Sequence, residues 1–189
     1  YMTDKTSSVY TRNNIPELRT AVEKIVQETP VTDIHTHLFS PHFGNLLLYG
    51  PDELLTYHYL VAETLRASSI PYEQFWAMEK PQQAEFVWNT LFLERSPISE
   101  AARGVLTALG KLGIDLSERR LDRIREYFQD VDLNDHVNNV FQVANLKCVV
   151  MTNDPFDPTE RDYWSDEYQS DERFHAALRI DPLLLNWKV

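Results

Sequence analysis

Pro30-Val31-Thr32-Asp33-Ile34-His35-Thr36-His37 reads as a short β-strand that ends in a His-x-His pair. Successive side chains of a strand point to opposite faces, so His35 and His37 project side by side from its end. Two imidazoles held that way can share one metal ion. Upstream, Leu18, Val22, Ile25 and Val26 recur at helical spacing, and Pro16 sits where a first helical turn tolerates it. The pattern predicts a helix over 16–28, stopped by Pro30, and a strand over 31–35. A strand whose end carries the chemistry points to an enzyme of the parallel α/β class, where ligands gather at the carboxyl ends of strands. Catalytic zinc usually takes three protein ligands and keeps one position open. The third is not evident, with His42 and His58 nearest in sequence.

Working outward, a second strand is predicted over 146–152, a largely apolar run of the kind buried on both faces. A third is predicted over 174–180, ended by Asp181-Pro182. Between the first two lie about 110 residues, whereas a simple crossover needs only a dozen or so. That stretch is helical in pattern. Pro81 opens a helix with Ala84, Val87, Trp88, Leu91 and Phe92 on one face. Ser96-Pro97 opens another, with Ile98, Ala102, Val105 and Leu109, ended by Gly110 and Gly113. Ser117 is a candidate cap for Leu121, Ile124 and Phe128, and Asp132 for Val137, Val140, Phe141 and Ala144.

The chain therefore divides into 1–38 (arm, helix and first strand), 39–145 (helical insertion) and 146–189 (second and third strands). Strand, insertion, strand, strand resembles the opening of a parallel (β/α)8 TIM-type barrel, read here as its N-terminal part. Such a barrel has eight strands in ~250 residues. Three strands cannot close one, so the barrel reading expects an N-terminal portion of a larger molecule. An open three-layer α/β domain is the alternative.

Composition narrows the function. With 189 residues and 43% hydrophobic content, one good core can form. Only 5 Gly and no GxGxxG or GxxxxGK[ST] leave no phosphate-cradling loop. A net charge of −11 disfavours nucleic acid and anionic membranes as partners. It permits a small anionic substrate beside a local Arg. The single Cys148 lies in an apolar run, as a buried structural thiol would. No run approaches ~18 apolar residues, and residues 1–14 are polar without a signal-peptide core, so a reducing cytoplasm is expected.

Further candidates lie in Thr56-Tyr57-His58-Tyr59, where packing with hydrogen-bonded polar tips competes with a binding role. His175, Ala177 and Arg179 share a face by alternation. Arg179 needs a partner, either Asp181 or Asp154, or a substrate carboxylate gripped bidentately. Thr152 to Pro158, after the second strand, can contact substrate or simply turn the chain. The acidic run Asp162 to Glu172 reads as a solvated face.

Four of these pieces resemble the uronate isomerases of the amidohydrolase superfamily. Asp33-Ile34-His35-Thr36-His37-Leu38 is similar to the first-strand His-x-His. His58-Tyr59 is similar to the family's His-Tyr before its long insertion helices. Val149-Val150-Met151-Thr152-Asn153-Asp154-Pro155 resembles the second-strand Thr-Asp-Asp-Pro. Leu178-Arg179-Ile180-Asp181 resembles the third-strand Arg-Pro-Asp. Order and spacing agree over most of 16–189. Asn153, Ile180, Leu60 and Val61 depart from the pattern.

The resemblance implies a (β/α)8 barrel that interconverts aldose and ketose forms of hexuronic acids. It implies that His35 and His37 are ligands of a weakly held divalent metal, zinc foremost, or line its position. Tyr59 and Arg179 would contact a small anionic sugar acid. The catalytic base would lie outside this sequence, so the 189 residues alone are expected to be inactive. A metal-dependent hydrolase of the same superfamily is the runner-up. A non-catalytic binding domain is the third reading, and homo-oligomerisation is left open.

Overall fold

The computed structural model of the chain describes residues 15–152, 154, 157–164, 171–177 and 179–185. Residues 1–14, Asn153, Pro155, Phe156, residues 165–170 of the acidic run and Leu178 lie outside the described residues.

Helix α1 spans Ile15–Glu28 and strand β1 Val31–Thr36, close to the predicted bounds. The helical stretch follows: α2 Pro51–Leu55, α3 His58–Ala67, α4 Tyr72–Trp76, α5 Lys80–Trp88, α6 Glu100–Lys111, α7 Leu121–Asp130 and α8 Leu133–Val143. A 3-10 turn, Pro41–Leu46, precedes it, and a π-helical turn, Asn89–Leu93, prolongs α5. Strands β2 Leu146–Met151 and β3 Phe174–Ala176 come next, with short helices α9 Pro158–Arg161 and α10 Asp181–Leu185. Among the described residues no helix is long and apolar enough to cross a membrane.

The three strands pair in parallel in the order β1-β2-β3. The fold is α/β, but the sheet is open and no barrel closes among the described residues. One face is covered. Val149 and Met151 of β2 and Phe174 of β3 pack under Val137 and Phe141 of α8 and under Phe39, Phe43 and Leu47. On the other face Cys148 and Val150 are half-buried, and Ile34 is 75% exposed. The expectation that β2 is buried on both faces is therefore corrected, and so is that of a fully buried Cys148. Its thiol lies 3.6 Å from the Thr32 hydroxyl. Among the described residues no third layer forms, and α1 buries none of its residues.

The third strand is shorter than predicted. Its ladder to β2 runs out at Met151 and Ala176, where the Ala177 N–H reaches the Met151 carbonyl. Arg179 thus lies beyond the strand rather than on its face.

The insertion holds a second core. Leu55, Leu60, Val61, Phe75, Val87, Trp88, Leu91, Val105, Leu109 and Ile124 bury one another away from the sheet. Tyr49 touches both cores, and its hydroxyl sits 2.9 and 2.6 Å from the carbonyls of Phe128 and Val131. The chain returns through Asn145, whose left-handed φ of 49° suits Asn better than most residues. Its carbonyl accepts from the Val31 N–H, which fastens the end of the insertion to the start of β1.

Candidate strand-end site

The end of β1 is shaped by two local hydrogen bonds. The Asp33 carboxylate accepts from the His35 N–H at 3.0 Å, and the Thr36 hydroxyl from the Leu38 N–H at 2.9 Å. Short polar side chains that bond two residues ahead turn the backbone in this way. They leave His35 and His37 adjacent, with ring centroids 5.8 Å apart and planes nearly perpendicular. Thr152, just past β2, donates to the Thr36 carbonyl at 3.2 Å and ties the two strand ends together.

The insertion brings the start of α3 against this pair. Tyr57, at the cap position of α3, places its hydroxyl 2.9 Å from His37 Nε2. His58 and Tyr59 follow in the first turn. The Tyr57–His58 and His58–Tyr59 ring centroids are 4.2 and 4.1 Å apart. Partial burial lowers the pKa of His37, and the charges of His35 and His58 lower it further. Burial, and then Tyr59, raise that of Tyr57. Both shifts favour the neutral forms of the two groups.

The predicted residues are not all assembled. His35, His37, His58 and Tyr59 come together, and Tyr59 is 63% exposed. His42 turns away to the Tyr163 carbonyl at 3.2 Å. Arg179 lies past the end of β3, two strand spacings or about 10 Å from β1 in the sheet order. It pairs with Asp181 at 3.5 Å, both side chains being exposed. Tyr57 carries the hydrogen bond to the His pair, yet the sequence reading stressed its neighbours. Its signal was a second Tyr flanking His58 at the start of a helix.

The expected zinc is overturned. Among the described residues no group of three or more His, Cys, Asp and Glu side chains can hold a metal ion. The cause is visible in the geometry, since Tyr57 occupies His37 Nε2 and His42 is drawn elsewhere. The donor set does not fit a divalent metal.

No protein-family profile matches the chain, and no curated protein does. A solved structure does match, that of a uronate isomerase from Bacillus halodurans C-125. The two share 53% sequence identity over 95% of this chain, with a TM-score of 0.87. The chain spans 42% of that protein's length.

Proposed function

We propose that the chain, 53% identical to a uronate isomerase over 95% of its length, forms part of an aldose–ketose isomerase acting on hexuronic acids. In this reading β1, β2 and β3 are the first strands of a (β/α)8 barrel. The stretch 39–145 is inserted between the first two, and the remaining strands come from residues outside these 189. The homology carries the reading.

The electrostatics of the strand end support an acidic substrate. The first turn of α3 leaves the N–H groups of His58 and Tyr59 without intrahelical acceptors, at the positive end of the helix dipole. Helix ends of this kind receive carboxylates and phosphates. Past the carboxyl end of β3, the end of the parallel sheet that also carries the His pair, Arg179 offers a guanidinium, whose fork matches a carboxylate.

Isomerisation moves a proton from C2 to C1 through an enediolate. The enzyme must hold the open-chain acid, supply a base and stabilise charge on oxygen. In the proposed roles Arg179 anchors the carboxylate, and Tyr59 hydrogen-bonds a sugar oxygen. His35 and neutral His37 line the reacting end as hydrogen-bonding groups. The base is contributed from outside these residues, so the isolated 189-residue chain should not turn over glucuronate.

The test is uronate turnover by the full-length protein. Arg179→Met should raise KM by roughly tenfold or more while kcat changes less, as loss of a charge-assisted bidentate contact requires. Absence of turnover on glucuronate and galacturonate would overturn the reading.

One observation favours a second reading, a binding domain without catalysis: Arg179 already has an internal partner in Asp181. Exposed pairs of this kind are weak and exchange readily for a ligand. If the pair is purely structural, Arg179→Met shifts Tm and leaves ligand affinity unchanged.

A further inference from the structure

A cavity of about 250 Å³ lies within the helical insertion and shares no lining residue with the strand-end cluster. Trp88 and Phe92, both buried, are stacked at 4.7 Å with an interplanar angle of 15°. Together with Leu106 and Leu116 they form the apolar part of the cavity. Arg95 and Arg119, both exposed, complete it, and no carboxylate lines it among the described residues. In a chain of net charge −11, two guanidinium groups on one apolar cavity are a local inversion of sign. Neither is ion-paired among the described residues, and Arg95 spends one N–H on the Ala67 carbonyl.

Two backbone irregularities converge on the same place. The π-helical turn Asn89–Leu93 carries Phe92 and begins directly after Trp88. Arg119 takes a left-handed φ of 54°, rare for a side chain of its size, and its carbonyl accepts from the Trp88 indole N–H at 3.1 Å. Such conformations persist where the surroundings over-determine them, and they concentrate at ligand sites.

We propose that this cavity binds a small organic anion built on one flat apolar ring, a monocyclic aromatic carboxylate or phosphate. Its ring lies in the Trp88–Phe92 cavity and its acid group between Arg95 and Arg119. The volume, near the lower end for ligand pockets, limits the occupant to about one ring. A uronic acid fits poorly, because Ser96 is the only hydroxyl in the lining to meet its several hydroxyl groups. The site is thus separate from the one proposed for sugar acids.

The experiment is calorimetric titration of the full-length protein with benzoate, phenyl phosphate and neutral benzyl alcohol, each in the presence of saturating glucuronate. At least one acid should bind at millimolar concentrations or below, and benzyl alcohol far more weakly. The preferred acid tells carboxylate from phosphate. Arg95→Gln and Arg119→Gly should each weaken binding roughly tenfold. Glycine accepts the left-handed φ at no cost, so a loss in Arg119→Gly with unchanged Tm reports the guanidinium rather than misfolding. Equal binding of benzyl alcohol, no heat from either acid, or unchanged affinity in both variants would overturn the proposal. Uronate turnover can fail or succeed without altering any of these outcomes.

Discussion

His136 is buried on α8, with the rings of Tyr49 and Phe128 at 5.1 and 5.5 Å and no hydrogen-bond partner at Nδ1. Burial holds its pKa below the ordinary histidine value. The unfolded chain takes up this proton near pH ~6.5, while the folded chain resists it. The stability that neutral His136 permits is therefore present above that pH and lost as the pH falls through the lower folded value. His37, also lowered, acts in the same direction but is more exposed. Melting temperature should drop on acidification from neutral pH to about pH 5, and His136→Phe should flatten the drop. An equal drop in the variant would assign it to other groups. At the strand end, Tyr57→Phe removes only the hydroxyl beside His37 Nε2. Its cost in stability should stay within about 0.5–1.5 kcal/mol by urea unfolding, while uronate kcat/KM of the full-length protein falls. The pairing of His35 with His37 was legible because strand alternation needs no tertiary information. Tyr57 was not legible as their partner, since the contact spans twenty residues and depends on where the insertion turns back.

Helix boundaries show how local chemistry resolves what periodicity leaves open. Ser96-Pro97 looked like the start of α6, yet the helix begins at Glu100. The Ser99 hydroxyl accepts from the Ala102 N–H at 3.1 Å and donates to the Glu63 carboxylate at 2.7 Å. Ile98 is left outside the helix and 80% exposed. Ser99→Ala should cost about 1 kcal/mol in chemical unfolding, the usual loss of a helix cap, while Ser96→Ala should be silent. Similarly, Ser117 does not cap α7, where Arg120 stands at the cap position, whereas Asp132 caps α8 through the Asn134 and Asp135 N–H groups. The α5 start at Pro81 was legible, and a reciprocal Glu79–Gln82 capping box accounts for it. Strand β3 is shorter than its hydrophobic run because the ladder to β2, its neighbour among the described residues, stops at Met151 and Ala176. A strand is bounded by its partner's length as much as by its own residues.

Across the molecule, apolar surface remains uncovered. Val22, Ile25 and Val26 of α1 are 49%, 62% and 68% exposed, and Ile34 of β1 adds to them. Exposed apolar surface drives association in water. The isolated 189-residue chain should self-associate in light scattering, and Ile25→Glu combined with Ile34→Lys should return it towards the monomer. A monomeric starting chain would contradict this. The order of elements and the size of the insertion were legible because they follow from runs and spacings along the chain. The insertion's separate core was not, since its helices carry the same apolar periodicity whether they cover the sheet or each other. Nor was the failure of the metal site, which depends on a hydroxyl and a carbonyl that reach His37 and His42 from distant segments.

Tyr49 packs into both cores, and Tyr57 bonded to His37 ties the insertion to the end of β1. Packed side chains yield little internally. The distance from Tyr57 to His37 therefore gauges how the start of α3 is seated on the strand end. A substitution deep in the insertion can therefore reach the strand end through the placement of Tyr57.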